Sequence, residues 1–302
     1  LNGKIVVKMG SVDLYDSNIF GVFMTDENTK LHTKPLIEKS NLVKEIILPN
    51  KLRYMKPSCL ENLPNLKKIT IPSSLTKAVA RLRDNKWISF KVAKGNKKYK
   101  VQDKLLLSKN GKELYAYVGC NRNLKVPEGV KRIRKNALAG TNAVSIYLPK
   151  TIDIIDSRAL QNGRALKLSV SSKNPHYKMS EGCLYSKKSG RLVAAYTKNR
   201  KLLISSKITK LSAGTSYIGG EAREITIPGS VTVMKEYWDF NFYTDYEAGK
   251  YGRLVFLGMK PPRMDSFLAS TIYVPAKAYD AYYKEVHKGP LIDNTTKIIK
   301  MK

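Results

Sequence analysis

The feature that most constrains the fold is a short apolar run closed by proline, which recurs along the chain. Ile-Thr-Ile-Pro occurs twice without change, at residues 69–72 and 225–228. Looser copies end at four further prolines, Pro49, Pro127, Pro149 and Pro275. Alternation with a period of two points the apolar side chains to one face of a β-strand. Proline then ends the strand because it has no N–H to donate to a neighbour.

The spacing of these strands predicts a solenoid. Pro49 and Pro72 are 23 residues apart, Pro127 and Pro149 are 22 apart, and a longer period near 78 residues separates Pro72 from Pro149 and Pro149 from Pro228. Repeats of about 20–29 residues are typical of leucine-rich repeat solenoids. We expect the copies to be parallel neighbours in one continuous sheet, with these apolar residues buried: Ile69, Ile71, Ile146, Leu148, Ile225 and Ile227.

The long period carries a second prediction, because residues 90–149 match residues 168–228 internally. Each copy contains an apolar run, a polar turn and a second run ending in tyrosine, which is the pattern of a β-hairpin. We predict one inserted hairpin in each copy. The runs, turns and closing tyrosines are 105–107, Asn110-Gly111 and Tyr117 in the first, and 183–185, Ser189-Gly190 and Tyr196 in the second.

These motifs resemble a known family, the BspA-like leucine-rich repeats of bacterial surface proteins. The resemblance covers roughly residues 40 to 290. It rests on the strand-proline copies, the run Pro127 to Ile133, the run Pro228 to Val231 and the segment 174–185. The family's Ala-Phe pair after each turn is replaced here by Ala137-Leu138 and Ala159-Leu160.

The resemblance implies a mainly β leucine-rich repeat solenoid with short helices and a surface-exposed interaction module, and it names no ligand. We predict an N-terminal cap at 1–40, the solenoid at 41–290 and a C-terminal tail at 291–302. A capping helix is predicted at 276–286, where Tyr279, Tyr282 and Val286 have helical spacing between two prolines. A helical turn is also expected within 75–87, and we expect a monomer.

The chain shows no persuasive catalytic or metal-binding motif. Its three cysteines, Cys59, Cys120 and Cys183, form no pair of metal-ligand spacing, and Cys183 is predicted to fill a core position. The three histidines are far apart in sequence. We expect no cofactor. An enzyme stays open as a minor alternative, because a carboxylate pair drawn from Asp239, Asp245 and Glu247 lies in an aromatic-rich segment at 237–251.

Charge is the most distinctive chemical property. The formal net charge is +31, and residues 90–135 hold 14 cations against 3 acids, while residues 167–210 hold 11 against 1. Equivalent residues of a solenoid stack, here about 15 Å apart for three strand spacings. Cations at equivalent positions predict a basic stripe, although lysine also keeps strand edges soluble. The candidates are Lys100, Lys109, Lys112, Arg122 and Arg132 in the first copy, and Lys178, Lys187, Arg191, Arg200 and Lys210 in the second.

Two main function classes follow. The first is a non-enzymatic binding module, displayed at the cell surface or secreted, that recognises a host or bacterial surface protein or mediates adhesion. The second is a polyanion binder that uses the basic stripe to hold an anionic glycan, a cell-wall polymer or nucleic acid, although no recognised nucleic-acid motif is present. The sequence contains no run of 18 apolar residues, so no membrane span is predicted. We expect an extracellular or cell-surface location, with any signal or anchor segment absent from this chain.

Overall fold

The computed structural model of the protein describes residues 5–8, 24–25, 31–32, 43–48, 54–55, 66–75, 77–78, 89–117, 121–141, 143–161, 167–197, 199–212, 217–220, 222–235, 253–264, 271–288 and 297–302. The chain divides into two compact units. Unit 1 comprises Leu1–Arg122, Pro127–Ala143 and Ile154–Gly163, and unit 2 comprises Asn123–Val126, Val144–Asp153 and Arg164–Lys302.

Short β-strands make up nearly all of the regular structure within the described residues. The first fifteen are β1 (Ile5–Lys8), β2 (Met24–Thr25), β3 (Leu31–His32), β4 (Val43–Ile47), β5 (Tyr54–Met55), β6 (Lys68–Ile71), β7 (Lys77–Ala78), β8 (Ser89–Val92), β9 (Tyr99–Gln102), β10 (Leu105–Ser108), β11 (Glu113–Tyr117), β12 (Asn123–Lys125), β13 (Arg132–Ile133), β14 (Ser145–Leu148) and β15 (Ile154–Ile155).

The later strands follow the same pattern, and one short helix lies near the C-terminus. The remaining elements are β16 (Lys167–Val170), β17 (Tyr177–Ser180), β18 (Cys183–Ser186), β19 (Leu192–Thr197), β20 (Lys201–Leu203), β21 (Lys210–Ser212), β22 (Tyr217–Gly220), β23 (Glu224–Ile227), β24 (Val233–Lys235), β25 (Arg253–Phe256), β26 (Arg263–Met264), β27 (Thr271–Pro275), a 3-10 turn (Ala276–Ala278), α1 (Tyr279–Val286) and β28 (Lys297–Met301).

The strand-proline copies form parallel sheets, as predicted. In unit 1 the order is β1-β4-β6-β8, and in unit 2 the orders are β12-β14-β16 and β20-β23-β25-β27-β28. The alternation buries one side of β6, β14, β23, β25 and β27, whose burial patterns alternate along the strand. The six residues predicted to face inward are each at most 1% exposed, which confirms the inward register. The predicted leucine-rich repeat solenoid is therefore confirmed.

The expectation of one continuous sheet is corrected, because the described strand-proline copies lie in three separate parallel sheets. The first two sheets end at β8 and β16, which are the strands that lead into the inserted segments. Parallel pairing starts again at β12 and β20, directly after those segments. The physical reason is that each insertion diverts the backbone into antiparallel pairing before it returns to the solenoid.

Both predicted hairpins are present, and each is larger than predicted. β10 pairs antiparallel with β11, and β18 with β19, around the predicted turns. A third strand, β9 or β17, pairs antiparallel with the outer side of β10 or β18. The return strands then pair in parallel with later strands, β11 with β13 and β19 with β22. We call these three-stranded segments the first and second inserted units, at 99–117 and 177–197.

A buried asparagine holds each inserted unit to the preceding turn. Asn174 is fully buried, and its Nδ2 donates to the carbonyl oxygens of Pro149 (3.0 Å) and Ile152 (2.9 Å). Its Oδ1 accepts from the backbone N–H groups of His176 and Tyr177, both at 2.8 Å. The equivalent Asn96 bonds the Pro72 carbonyl at 2.7 Å and the N–H groups of residues 98 and 99. The strand-closing proline therefore also provides an acceptor for the next insertion.

The ends of the described chain add two findings. β1 lies within the predicted N-terminal cap and pairs in parallel with β4, while β28 lies within the predicted tail and pairs in parallel with β27. The predicted helix is present, with Tyr282 and Val286 buried, but its capping role and the domain boundaries stay predictions. Within 75–87 the described residues include the strand Lys77–Ala78, and the rest of the predicted helical turn lies outside the described residues.

Candidate functional site

The first inserted unit brings three of the candidate lysines to one turn. Lys109 and Lys112 are exposed on either side of Asn110-Gly111, where the Asn110 Oδ1 accepts bonds from the Ser108 hydroxyl (2.7 Å) and from the Lys112 N–H (3.0 Å). Lys100 reaches the same turn from β9, since a Cβ placed on Gly111 would lie 3.0 Å from the Lys100 Nζ. No described carboxylate forms an ion pair with these three lysines.

The second inserted unit arranges its cations differently. Lys178 is exposed on β17, but the Lys187 Nζ bends back and donates to the Asn174 carbonyl oxygen at 2.5 Å. Arg191 is half-buried and bridges in parallel with Lys210 at the start of β21. The two tips therefore differ, although their cations match in sequence.

The remaining pairs of candidate residues lie away from the turns. Arg122 and Arg200 are exposed immediately before β12 and β20. The Arg200 carbonyl accepts the backbone N–H groups of Arg223 (2.6 Å) and Glu224 (2.9 Å), so its backbone is part of the parallel pairing. Both arginines thus mark the point where the chain returns from an insertion to the solenoid.

Arg132 is the candidate whose charge is already paired. Its guanidinium contacts the Asp156 carboxylate at 2.9 Å through Nη2 and at 3.0 Å through Nε, and this hydrogen bond raises the pKa of Arg132. The neighbouring Arg134 lies 3.7 Å from Glu113 and 5.7 Å from the centre of the Tyr115 ring. An anion would have to compete with Asp156 for Arg132.

Tyr115 completes this network on the outward side of β11 and β13. Its hydroxyl donates to the Glu113 Oε2 at 2.5 Å. Burial and this bond to a carboxylate raise the pKa of Tyr115 above its usual value. In register, Arg132 lies beside Ile154, and its equivalent Lys210 lies beside Val233. The residue two positions further along is Asp156 in the first copy and Lys235 in the second. The second copy therefore lacks the carboxylate that neutralises the first.

The candidate cations fall into two sets of five, one in each unit. Lys100, Lys109 and Lys112 are brought together in unit 1, and Arg191 and Lys210 in unit 2. That the two sets form one stripe stays a prediction. The carboxylates considered for catalysis, Asp239, Asp245 and Glu247, lie outside the described residues, as does the surrounding aromatic segment. Within the described ranges no group of three or more His, Cys, Asp or Glu side chains could hold a metal ion.

Cys183 occupies the core position predicted for it, fully buried within the second inserted unit, in one core cluster with Leu192 and Leu202. Burial raises the pKa of its thiol to about 11. Cys59 and Cys120 lie outside the described residues. In the part of the chain that is described, no helix is long and apolar enough to cross a membrane.

Sequence reasoning missed a surface on the outward face of the five-stranded sheet. Leu203 and Ile299 are 51% and 39% exposed at its two edges, and the residues between them in register are Thr226, Val255 and Tyr273. The signal was available in the sequence as the outward residue of each strand, read from one strand to the next.

Comparison with known proteins identifies the repeats. The family described as "BspA type Leucine rich repeat region" matches six copies in this chain, at residues 5–82 and 113–199. A comparison with curated proteins finds no match.

Three solved structures are similar at low identity. A leucine-rich cell surface protein from Faecalibacterium prausnitzii is 18% identical over 64% of this chain and 55% of its own, with a TM-score of 0.40; the match thus spans little more than half of that protein. A leucine-rich repeat protein from Eubacterium ventriosum is 14% identical over 85% and 73%, with a TM-score of 0.41. The pneumococcal vaccine antigen PcpA is 13% identical over 94% and 100%, with a TM-score of 0.36. Because the matching repeats cover more than half of its residues, the chain belongs to the BspA-type leucine-rich repeat family.

Proposed function

We propose that this chain is a surface-exposed or secreted binding module that mediates protein–protein or adhesion-type contacts through its solenoid surface. The observation that carries the proposal is the division of each parallel sheet into two faces. The inward residues, such as Ile225 and Ile272, are fully buried. The outward side chains of adjacent strands are aligned about 4.8 Å apart, which provides an ordered surface free for a partner.

Family membership supports this assignment, because leucine-rich repeat regions typically serve as non-enzymatic binding modules. A surface location is part of the proposal. The test is an array of extracellular-matrix proteins and anionic glycans, probed with the purified chain at low and high salt. Capture of a matrix protein that persists at high salt supports a protein partner. Absence of any captured protein at both salt concentrations contradicts the proposal.

A second candidate function, polyanion binding, is favoured by one specific observation. Lys100, Lys109 and Lys112 converge on one turn without a described ion-pair partner. Each phosphate or sulfate that such lysines contact releases condensed counterions, so retention of a polyanion would fall steeply with salt.

The experiment for this second candidate is heparin and DNA chromatography of a charge-reversed variant. Changing Lys100, Lys109 and Lys112 to Glu should abolish retention and leave the melting temperature almost unchanged. The matched control reverses three exposed lysines outside the candidate set, Lys167, Lys260 and Lys277, which alters net charge equally. If both variants lose retention to the same extent, net charge alone is responsible and the basic candidates are not a site.

A further inference from the structure

The outward face of the sheet β20-β23-β25-β27-β28 carries a continuous line of mainly apolar side chains. One residue of each strand contributes, in the order Leu203, Thr226, Val255, Tyr273 and Ile299, and hydrogen-bonded register places each beside the next. At about 4.8 Å per strand the line is roughly 19 Å long. We call it the apolar row.

The apolar surface continues toward the C-terminal ends of the strands. Leu257, directly after β25, is 51% exposed, and its N–H bonds the Ile227 carbonyl at 2.9 Å. By the same register Pro275 lies beside it, and Pro275 pairs with Met301 of β28. Single exposed apolar side chains are ordinary on a protein surface, whereas contiguous ones indicate an interaction site.

A charged row borders the apolar row on its other side. Its members, in register, are Lys201, Glu224, Arg253, Thr271 and Lys297. Glu224 pairs with Lys201 at 3.0 Å. Arg253 and Lys297 are exposed, and no described carboxylate pairs with either of them. We call Arg253 and Lys297 the basic edge.

The other parallel sheets show that the fold does not require this apolar row. In β12-β14-β16 the corresponding outward residues are Lys125, Tyr147 and Ser169, again aligned in register. In β6 and β8 they are Thr70 and Lys91. The inward rows are apolar in all three sheets, so burial of the core accounts for the inward residues alone. Other sheets carry single exposed apolar residues, Val101 on β9 and Ile154 on β15, whereas Leu203, Leu257 and Ile299 all lie on or directly after strands of this one sheet.

We propose that this face of unit 2 binds an extended segment of a protein partner in which apolar and acidic side chains alternate. Its apolar side chains lie on the apolar row and its carboxylates face the basic edge. This inference rests on the proposed function and specifies its surface and the chemistry of the partner. A second copy of this chain fits poorly, because two molecules with a net charge of +31 repel one another. A glycan or nucleic acid would use the cations and leave the apolar row unused.

The proposal is tested with three synthetic peptides of about twelve residues, long enough to span the apolar row in extended form. One alternates aspartate with valine, one replaces aspartate by lysine, and one replaces valine by serine. Fluorescence anisotropy measures the Kd of each for the purified chain. The aspartate–valine peptide should bind about tenfold more tightly than either of the others, since it alone satisfies both rows.

Two variants locate the binding. The first variant replaces three residues of the apolar row by threonine, which suits β-strands: Leu203→Thr, Val255→Thr and Ile299→Thr. It should bind the aspartate–valine peptide about tenfold more weakly. Tyr147→Thr, at the corresponding outward position of β14, is the control and should leave the Kd unchanged. The second variant carries Arg253→Glu and Lys297→Glu and should also bind this peptide more weakly. Its charge-matched control, Lys125→Glu with Lys167→Glu, should raise the Kd by a smaller factor. Circular dichroism establishes that each variant is folded.

Each other outcome overturns the inference. Failure of the folded chain to bind the aspartate–valine peptide, or equal binding of all three peptides, removes the proposed chemistry. If the aspartate–serine peptide binds as tightly as the aspartate–valine peptide, the surface recognises negative charge alone and is a polyanion surface instead. If the matrix array captures a protein and the triple threonine variant captures it equally, the proposed function holds and this surface is wrong.

Discussion

Replacement of Asn174 by alanine should destabilise the second inserted unit strongly, because the buried side chain holds this unit to the preceding turn. Four hydrogen bonds of 3.0 Å or shorter are lost, two to carbonyl oxygens and two from backbone N–H groups. A protein hydrogen bond contributes about 1 kcal/mol net, and a buried group left without a partner costs more. We therefore expect the free energy of unfolding to fall by about 4 kcal/mol.

Asn96 provides an internal comparison, because it plays the same part in the first inserted unit. It makes three such bonds, at 2.7, 2.8 and 2.9 Å, so Asn96→Ala should cost about 3 kcal/mol. Asn199 is exposed, and Asn199→Ala should change the free energy by less than about 0.5 kcal/mol. The expected order of destabilisation is thus Asn174, then Asn96, then Asn199.

Native-state hydrogen exchange measures the effect where it arises. The amides of His176 and Tyr177, which donate to Asn174, should exchange faster in Asn174→Ala, together with peptides from the inserted unit. Urea denaturation gives the global free energy. The reasoning would be refuted if Asn174→Ala cost no more than Asn199→Ala, or if Asn96→Ala cost more than Asn174→Ala.

Three further predictions test the core, a turn and a thiol. Ile227→Ala should lower the free energy of unfolding by about 2–5 kcal/mol, because the side chain is 1% exposed; a loss below about 0.5 kcal/mol in urea denaturation would contradict the inward register. Gly190→Ala should lower the melting temperature more than Gly111→Ala, since both have positive φ but a Cβ at 190 would lie 2.3 Å from the Thr209 hydroxyl oxygen. Equal losses would contradict that clash. Cys183 should resist alkylation at pH 8 until the protein unfolds, measured with the other two cysteines replaced by serine. Its thiol pKa rises from 9.0 to about 11, so its contribution to stability is complete below pH 9 and is lost as pH rises through 11.

The strand-proline motif predicted the inward residues correctly because its information is local. Alternation within four residues decides which side chains share a face, and the proline that follows ends the strand without reference to the rest of the chain. Ile69, Ile146 and Ile225 are each fully buried for this reason. Cys183 was placed in the core by its match to Leu105, and both are at most 1% exposed.

Elements without such a motif were missed. β9 (Tyr-Lys-Val-Gln) and β17 (Tyr-Lys-Met-Ser) have no closing proline, and they pair antiparallel with β10 and β18. β28 has no closing proline, so the sequence gives no signal that it joins β27. Strand pairing joins residues that are distant in sequence, and the division of the strand-proline copies among three sheets follows from pairings that an apolar pattern does not encode.

The candidate cations show a different limit. An offset of 78 residues correctly identified equivalent positions, but it says nothing about the neighbours that each position acquires. Arg132 contacts Asp156, which is 24 residues away and belongs to the next turn, while the position corresponding to Asp156 in the turn beside Lys210 is occupied by Lys235. A repeated residue keeps its chemistry only if the turn beside it also repeats, and in this chain the flanking turns differ.

A partner is best sought on outward residues. Inward positions must be apolar in every turn, since each fills a core shared with its neighbours, and they therefore cannot distinguish one solenoid from another. Outward positions have no such requirement, as Ser169 and Lys91 show on the other sheets. Where Leu203, Val255 and Ile299 nevertheless expose apolar side chains in one line, core packing does not account for them. A surface that contacts a partner would account for them. Replacing these three side chains should therefore weaken binding of the partner and leave the free energy of unfolding unaltered.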